Sequence, residues 1–165
     1  MKSKLIILLL ISFLYKVNAQ NSNVVISDVI LHTIKKPFRS TGTASDAPVP
    51  DTINARLMFS CTPPSNTDTL VVKIGSDKND GTFFYEKFPV VSKPNNVFGF
   101  VGSGTYYLQN KTTSSDNVFN RFTGGNMIGF NMTFPESMLQ KIKWITVYAI
   151  DKQNNVSNYQ YYQAN

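Results

Sequence analysis

Residues 143–164 have the sequence KWITVYAIDKQNNVSNYQYYQA, which predicts two β-strands joined by a tight turn. Through residues 145–150, small or branched apolar residues alternate with other residues, and this is the period of a strand. Residues 151–155 follow with Asp and Asn, which tolerate left-handed backbone and hydrogen-bond their own main chain. Residues 156–163 then return as a second strand. The sequence therefore predicts a closing hairpin.

The same alternation predicts strands along the rest of the chain. The clearest covers residues 53–61, where every second side chain is expected to face a core: Ile53, Ala55, Leu57, Phe59 and Cys61. Further strands are predicted at 24–33, 69–74, 82–91, 97–101, 105–109 and 128–134, for a total of seven to nine. Residues 135–140, with Pro at the start and Glu in the first turn, predict the one helical turn.

Two segments lack the period of a strand. Residues 35–52 carry Pro, Gly, Ser and Thr without alternation. Residues 110–126 are polar apart from a few apolar residues, among them Phe119 and Phe122. We expect two long loops there.

Shorter signals suggest how the strands are connected. We predict a bend at residues 27–28 and a second hairpin that joins residues 97–101 to residues 105–109. Pro89 and Pro94 lack the backbone N–H that a ladder needs, so they predict a sheet edge at the end of their strand.

The order of strand, turn and final strand at the C-terminal end resembles that of bacterial immunoglobulin-like and fibronectin-type-III-like domains. The resemblance is carried by Ile145, Val147, Ala149, Asp151, Asn155, Val156 and Ser157. It covers roughly the last 40 residues, and it implies an all-β, immunoglobulin-like antiparallel β-sandwich. The chain departs from the family because it has no pair of cysteines and has Lys143-Trp144 where a corner tyrosine is expected.

The N-terminal segment has the features of a signal peptide. Lys2 and Lys4 precede an apolar run at residues 5–15, and the small residues VNA follow. The run is too short to cross roughly 30 Å of hydrocarbon. We therefore expect a cleaved signal peptide at 1–19 and a single domain at 20–165, exported to the periplasm, the cell surface or the medium. No membrane span is predicted in the mature chain.

Charge and cysteine content exclude some classes of function. The mature chain keeps 13 of the 16 basic residues beside 10 acidic residues, which gives a formal charge of +3. Its charges are scattered without a run of one sign, which argues against nucleic-acid binding. Cys61 is the only cysteine, so the domain has no internal disulfide, and we expect this side chain to be buried in a strand.

Residues for catalysis are scarce. His32 is the only histidine, and no nucleophile motif accompanies it, so a structural role is favoured over that of a general base. One His and one Cys cannot supply the three or four ligands of a zinc site. Glu86 and Glu136 are the only glutamates, and the aspartates fall mostly in loops, where turn formation explains them. We predict no catalytic residue, metal ligand or cofactor.

Two short motifs have alternative interpretations. Residues 76–81, SDKNDG, partly resemble a calcium loop with Asp77 and Asp80 as ligands, but the glycine comes one position too early. A hairpin turn is the preferred interpretation of that segment. Thr52 and Thr69 each follow Asp and precede an aliphatic residue, which resembles an O-glycosylation acceptor of exported proteins in one group of Gram-negative bacteria.

Clustered tyrosines are the candidates for ligand or partner binding. Neighbouring residues of a strand face opposite sides, so one side chain of each adjacent pair needs solvent or a partner. Tyr106, Tyr107, Tyr159 and Tyr161 are therefore the predicted binding residues, because tyrosine suits both protein interfaces and sugar rings. Coverage of both faces by the long loops is the alternative.

These observations predict an exported, non-catalytic interaction or structural module, with a subunit of a bacterial cell-envelope or surface assembly as its setting. The expected partner is an envelope or surface protein. A carbohydrate-binding module that uses exposed tyrosines is the alternative, and a flat platform shared by Tyr106 or Tyr107 with Tyr159 or Tyr161 would favour it. A small glycan-active enzyme with two loop carboxylates is a third hypothesis.

Overall fold

The alternating pattern of the sequence folds into strands through most of the chain. The computed structural model describes residues 22–36, 52–76, 81–108, 112–113 and 117–163. The strands are β1 (Val25–Lys36), β2 (Thr52–Thr62), β3 (Thr67–Gly75), β4 (Thr82–Lys93), β5 (Val97–Ser103), β6 (Tyr106–Tyr107), β7 (Thr112–Thr113), β8 (Asn117–Arg121), β9 (Met127–Pro135), β10 (Trp144–Asp151) and β11 (Gln160–Gln163). A 3₁₀ turn at Pro64–Asn66 follows β2, and the predicted helical turn, α1 (Glu136–Leu139), follows β9.

The strands form two sheets that pack as an all-β sandwich. The hydrogen-bonded order is β1-β2-β9-β6-β7 in the five-stranded sheet and β11-β10-β3-β4-β5-β8 in the six-stranded sheet. Paired strands are antiparallel except β6 and β9, which run parallel. The described residues thus contain more strands than the predicted seven to nine, partly because β6 and β7 have two residues each.

β2 and β9 are neighbouring inner strands of the five-stranded sheet, and both show alternating burial. All five side chains predicted to face inward from residues 53–61 are buried. On β9 the buried side chains are Ile128, Phe130, Met132 and Phe134. Leu57 of β2 lies opposite Phe130 of β9. The two predicted strands are confirmed, and each presents its polar residues to the outer face.

Aromatic rings join the two sheets at the centre of the core. Phe130 and Tyr106 of the five-stranded sheet stack with ring centroids 4.3 Å apart and an interplanar angle of 16°. Phe84 and Phe88 of β4 contact both rings at centroid distances from 5.2 to 5.8 Å, in edge-to-face geometry. Such pairs contribute about 0.5–1.5 kcal/mol each beyond the area they bury. This cluster therefore fixes how the two sheets lie on each other.

The predicted bend in β1 is confirmed. The register between β1 and β2 shifts between Ser27 and Ile30, and Asp28 has a φ of 55°. An extra residue in one strand of an antiparallel pair bends that strand locally. Beyond the bulge, β1 pairs with β2 in unbroken register from Ile30 to Lys36.

The closing hairpin is present, but its second strand is shorter than predicted. β11 begins at Gln160 rather than at residue 156, and it pairs with β10 over four residues. Before β11, the backbone N–H of Ser157 donates to the carbonyl of Ala149, and the Ser157 hydroxyl accepts from the backbone N–H of Ala149. The Asn158 side chain instead bonds both the N–H and the C=O of Ile26 in β1, at 2.8 Å each. Side-chain bonds thus accompany the few backbone bonds of this segment.

The hairpin predicted between residues 97–101 and 105–109 is wrong. β5 pairs with β4 and β8, whereas Tyr106–Tyr107 pair with β7 and β9 in the other sheet. Residues 104–105 therefore carry the chain from one sheet to the other. The backbone N–H of Ser103 donates to the Tyr106 hydroxyl over 3.0 Å, which ties the crossing segment to the core.

The loop predicted at residues 110–126 is also wrong in part. Asn117–Arg121 form β8, which pairs with Gly99–Ser103 of β5, and Phe122 is buried. Polar residues on this edge strand concealed its strand character. Of the other predicted loop, residues 37–51 lie outside the described part of the chain, and its two ends belong to β1 and β2.

Pro89 lies where β4 changes partner, and the end of the strand beyond it has an edge, as predicted. Thr69 of β3 lies opposite Pro89, and Phe100 of β5 lies opposite the next residue, Val90. β4 is therefore an inner strand of the six-stranded sheet, and after Pro89 it pairs on one side only. The missing N–H of proline falls where the ladder to β3 ends.

Candidate binding surfaces

The four predicted tyrosines lie in three different places. Tyr106 is 3% exposed and belongs to the core. Tyr107, its neighbour, is 45% exposed on the outer face of the five-stranded sheet. Tyr159 and Tyr161 are 44% and 43% exposed, beside and on β11 of the six-stranded sheet. The single flat platform that would favour carbohydrate binding is not formed, because the two sheets hold these side chains apart.

Tyr106 is excluded from any surface by its packing. Its ring lies within the aromatic cluster, and its hydroxyl sits 2.5 Å from where a methyl group on Gly102 would be. Gly102 thus makes room for the hydroxyl, which accepts the Ser103 N–H. Burial raises the pKa of Tyr106. The side chain is a structural tyrosine with a satisfied hydroxyl.

Aromatic rings cover one end of the outer face of the six-stranded sheet. We define the aromatic face as Tyr85, Trp144, Tyr148, Tyr159 and Tyr161, together with Lys73. The strand register creates it, because Thr146 of β10 lies opposite both Tyr161 of β11 and Lys73 of β3, and Lys73 lies opposite Tyr85.

The rings of the aromatic face contact one another in a row. Tyr159 and Tyr161 are nearly parallel, with an interplanar angle of 15° and centroids 6.4 Å apart. Tyr148 lies 4.8 Å from Tyr159, and Trp144 meets Tyr161 edge-on at 6.3 Å. Val71, which points outward from β3 opposite Tyr148, is fully buried. The rings therefore cover the sheet beneath them, while Tyr159 and Tyr161 remain exposed at its edge.

Lys73 adds a positive charge to this surface. Its Nζ lies 5.3 Å from the ring centroid of Tyr85 and 5.6 Å from that of Tyr148, within the range of cation–π attraction. Burial, followed by the proximity of Tyr85, raises the pKa of Tyr148 to about 12. The hydroxyl of Tyr148 thus stays protonated at neutral pH. The face offers apolar rings, hydroxyl groups and one cation.

The outer face of the five-stranded sheet holds a groove of about 550 Å³. We call it the polar groove, lined by His32, Ile34, Asn54, Ala55, Arg56, Thr105, Tyr107, Asn131, Met132 and Thr133. Its volume falls within the range of ligand pockets, about 300–1,000 Å³. The groove crosses four strands, β1, β2, β9 and β6, so residues far apart in sequence meet there.

Strand register arranges the polar side chains of the groove in two rows. In the first row, His32 of β1 lies opposite Arg56 of β2, which lies opposite Asn131 of β9. In the second row the order across the sheet is Ile34, Asn54, Thr133 and Tyr107. Because successive rows are two residues apart, their spacing is about 7 Å.

Hydrogen bonds hold the amide side chains of the groove in place. The Thr133 hydroxyl donates to Oδ1 of Asn54 over 3.0 Å. Asn131 donates from Nδ2 to the carbonyl of Gly104 over 3.2 Å. These bonds use the acceptor end of the Asn54 amide and the donor end of the Asn131 amide.

Arg56 lies across the backbone of Gly129. A methyl group at Gly129 would overlap Nη2, Nε and Cζ of the guanidinium, so the glycine provides the surface on which the side chain rests. Gly129 is next to the first row along β9, which places the positive charge at one end of the groove. Arg56 is exposed, so its charge is available to a ligand.

His32 is exposed in this groove rather than buried in the core. The other side chains in the row of His32 are Arg56 and Asn131, and neither of them is a nucleophile. The prediction that His32 is not a general base remains a prediction. What the sequence did not indicate is that His32, Arg56 and Tyr107 share one surface.

Cys61 and Asp151 are buried and hydrogen-bonded within the protein. Cys61 is fully buried, 3.1 Å from the Thr67 hydroxyl, and burial raises the pKa of its thiol to about 11. Asp151 is buried too; burial favours a higher pKa, but hydrogen bonds from the backbone and side chain of Asn155 hold the pKa below its usual value. Within the described ranges, no three His, Cys, Asp or Glu residues are grouped to hold a metal ion.

The structure describes only part of the predicted calcium-loop and glycosylation motifs. Residues 77–80, with the proposed calcium ligands Asp77 and Asp80, lie outside the described part of the chain. Ser76 donates its backbone N–H to Gly81, in keeping with a hairpin turn. Thr69 is half-buried, and its hydroxyl donates to the Asp68 carboxylate over 2.8 Å.

Comparison with known proteins gives no relative for this chain: no family model, no curated protein and no solved structure matches it. Among the residues that the structure describes, no helix is long and apolar enough to span a membrane.

Proposed function

We propose that this chain is an exported, non-catalytic interaction module with an immunoglobulin-like topology, and that its aromatic face binds a protein of the cell envelope or surface. The observation that carries the proposal is the pair of exposed, nearly parallel rings of Tyr159 and Tyr161 at a sheet edge. Tyrosine and tryptophan are enriched at protein interfaces, whose cores are depleted in charge.

Strand order supports an immunoglobulin-like topology. In variable-type domains the larger sheet has the order G-F-C-C′-C″, and the other has A-B-E-D. The order G-F-C-C′-C″ matches β11-β10-β3-β4-β5 of the six-stranded sheet. The order A-B-E matches β1-β2-β9 of the five-stranded sheet. β6 occupies the position of D but runs parallel to its neighbour. A continuous core between the two sheets supports a single domain.

The sequence alone supports export. The proposed signal peptide at residues 1–19 lies outside the described part of the chain. Its basic start, apolar run and small residues at the cleavage positions are the features used by the secretory pathway. Reliance on a packed core fits a chain with one cysteine, since no internal disulfide can stabilise it.

Chemistry supports binding rather than catalysis. The thiol of Cys61 is buried, and its raised pKa keeps it protonated at neutral pH. The aromatic face has rings and one ammonium group but no carboxylate among its defining residues. Such a surface buries apolar area against a partner and orients it through hydroxyl groups.

The test is affinity capture from an envelope extract of the native host with the mature chain as bait, followed by quantitative mass spectrometry. The double variant Tyr159→Ser/Tyr161→Ser should lose the captured envelope protein at least about tenfold, because exposed aromatic residues at an interface centre contribute most of its affinity. Tyr107→Ser, on the other sheet, is the matched control and should capture as the wild type does. Equal capture by all three chains would contradict the proposal.

A further inference from the structure

A second surface, separate from the aromatic face, has the chemistry of a small-molecule site. We propose that the polar groove binds an acidic saccharide, that is, a pyranose ring that carries a carboxylate. The proposal does not depend on the proposed function, because none of the groove residues belongs to the aromatic face.

One wall of the groove suits the apolar side of a sugar ring. Tyr107 is 45% exposed at the end of the second row, next to Thr133. Its backbone is held on both sides, by β7 and by β9, so the ring has a fixed base. The C–H groups of a pyranose pack against an aromatic ring, and a tyrosine also offers its hydroxyl group at the wet end.

The floor of the groove suits sugar hydroxyl groups. Asn54 and Asn131 have neighbouring positions on β2 and β9, and each has one end of its amide engaged by the protein. The engaged end fixes the orientation of the amide, so the opposite end is a preorganised donor at Asn54 and a preorganised acceptor at Asn131. Paired donors and acceptors at fixed positions are what the hydroxyl groups of a sugar require.

The charge of the groove favours a carboxylate on that sugar. The ionisable side chains of its described lining are Arg56, His32 and Tyr107, with no Asp or Glu among them. The guanidinium of Arg56 rests on Gly129, so its planar group of donors has a defined orientation. A guanidinium binds a carboxylate through two parallel hydrogen bonds, a geometry that a lysine does not provide.

The dimensions match two linked sugar rings. Tyr107 on β6 and Arg56 on β2 are separated by one strand, β9, and neighbouring strands lie about 4.8 Å apart. The backbone positions of the two residues are therefore roughly 10 Å apart across the sheet. The guanidinium of Arg56 lies farther from Tyr107 than its backbone does, because it rests on Gly129, two rows along β9 from Thr133, the partner of Tyr107. Two linked rings, one of them packed on Tyr107, are therefore needed to bring a carboxylate to Arg56.

An extended peptide fits the groove less well than a saccharide does. Peptides that add to a sheet use unpaired backbone groups at an edge strand. The floor of the groove is formed by β2 and β9, each of which pairs with a strand on both sides. Side chains alone are therefore available on this floor, and they are the amides of Asn54 and Asn131, the Thr133 hydroxyl and the Arg56 guanidinium.

The test is a titration of the ¹⁵N-labelled mature chain, which contains every described residue, followed by NMR. Three probes separate the contributions: cellobiouronic acid, cellobiose, which lacks the carboxylate, and acetate, which lacks the ring. We expect cellobiouronic acid to shift the amide signals of Arg56, Tyr107 and Asn131 and to bind about tenfold more tightly than cellobiose. Acetate should leave these signals unchanged.

Variants test which residue binds the carboxylate of the ligand and which binds its ring. Arg56→Gln should remove the preference for the acid while leaving the weaker binding of cellobiose, and Tyr107→Ser should weaken both. Tyr161→Ser, on the other sheet, is the control and should bind both sugars as the wild type does. The amide spectrum of each variant reports its fold. Unchanged groove signals with cellobiouronic acid, equal binding of the two sugars, or an equal response to acetate would each overturn the proposal.

Discussion

On the outer face of the six-stranded sheet, aromatic rings contact one another, whereas on the outer face of the five-stranded sheet amides and hydroxyl groups border a groove. Both surfaces arise from the same alternation, in which every second residue of a strand points away from the core. Both also depend on three or more neighbouring strands. They differ in the residues that register places side by side: Tyr148 beside Tyr159 in one sheet, and Arg56 beside Asn131 in the other.

One sandwich therefore carries two surfaces with different chemistry. The aromatic face covers the backbone beneath it, since Val71 is fully buried on that side. The polar groove instead leaves space, because its side chains are held by short bonds to near neighbours, such as that of Thr133 to Asn54. A covered face suits a large partner, whereas an open groove suits a small ligand.

The largest effect is expected where both surfaces share a support. Tyr106→Ala removes a ring stacked on Phe130 and should lower the free energy of unfolding by about 3–5 kcal/mol, the range for loss of a buried aromatic ring. Urea unfolding followed by circular dichroism measures this change.

Tyr107→Ala is the matched control for that substitution, one residue along the chain. Its side chain faces the polar groove, so the free energy of unfolding should change by no more than about 0.5 kcal/mol. Equal destabilisation by the two substitutions would mean that the two tyrosines do not face opposite sides of their sheet.

A second prediction concerns the link between the two sheets at their edges. Asn158 bonds the N–H and C=O of Ile26, so Asn158→Ala leaves two backbone groups of β1 without that partner. We expect a loss of about 1–3 kcal/mol in the free energy of unfolding. Hydrogen exchange should quicken at Ile26 more than at Leu57, which lies within the sheet. A variant with wild-type exchange at Ile26 would show that the link is not needed.

The sequence predicts the parts of the fold that depend on local pattern. The inward residues of β2, such as Leu57 and Phe59, follow from alternation alone, and the bend of β1 follows from Ser27 and Asp28. The turn after β10 follows from Asp151, whose carboxylate accepts two backbone N–H groups of the loop. Each of these features depends on residues close together in the chain.

The parts that were wrong depend on contacts across the chain. Tyr106 enters the other sheet because its ring fits beside Phe130, and no local signal separates that arrangement from a hairpin. β11 begins late because Asn158 bonds β1, 132 positions away in the chain. The polar groove was missed for the same reason, although Asn54 and Arg56 were already expected to point outward from β2.

A prediction of intermediate size concerns the stability of the aromatic face at alkaline pH. Folding raises the pKa of Tyr148 to about 12, whereas an unfolded tyrosine ionises near pH 10. Between those values the unfolded chain releases a proton that the folded chain keeps, so stability is retained below about pH 10 and falls as the pH rises above it. Tyr148→Phe should therefore lose less stability than the wild type as the pH rises from about 10 to about 12.

Urea unfolding at several pH values measures that change, and absorbance of the tyrosinate supports it. The variant should lack a component that titrates near pH 12 in the wild type. If wild type and variant lose the same stability over this range, burial beside Tyr85 does not raise the pKa of Tyr148 in the folded chain.

The smallest effect on stability gives the sharpest test of the groove. Gly129→Ala places a methyl group where the Arg56 guanidinium lies, and the flexible end of that side chain has to move away. We expect the free energy of unfolding to change by no more than about 0.5 kcal/mol, because the obstacle is a movable side chain rather than backbone. Cellobiouronic acid should nevertheless lose its advantage over cellobiose, as it does in Arg56→Gln. A wild-type preference for the acid in Gly129→Ala would mean that Arg56 reaches the ligand without the support of Gly129, and the charge would then act from a mobile side chain.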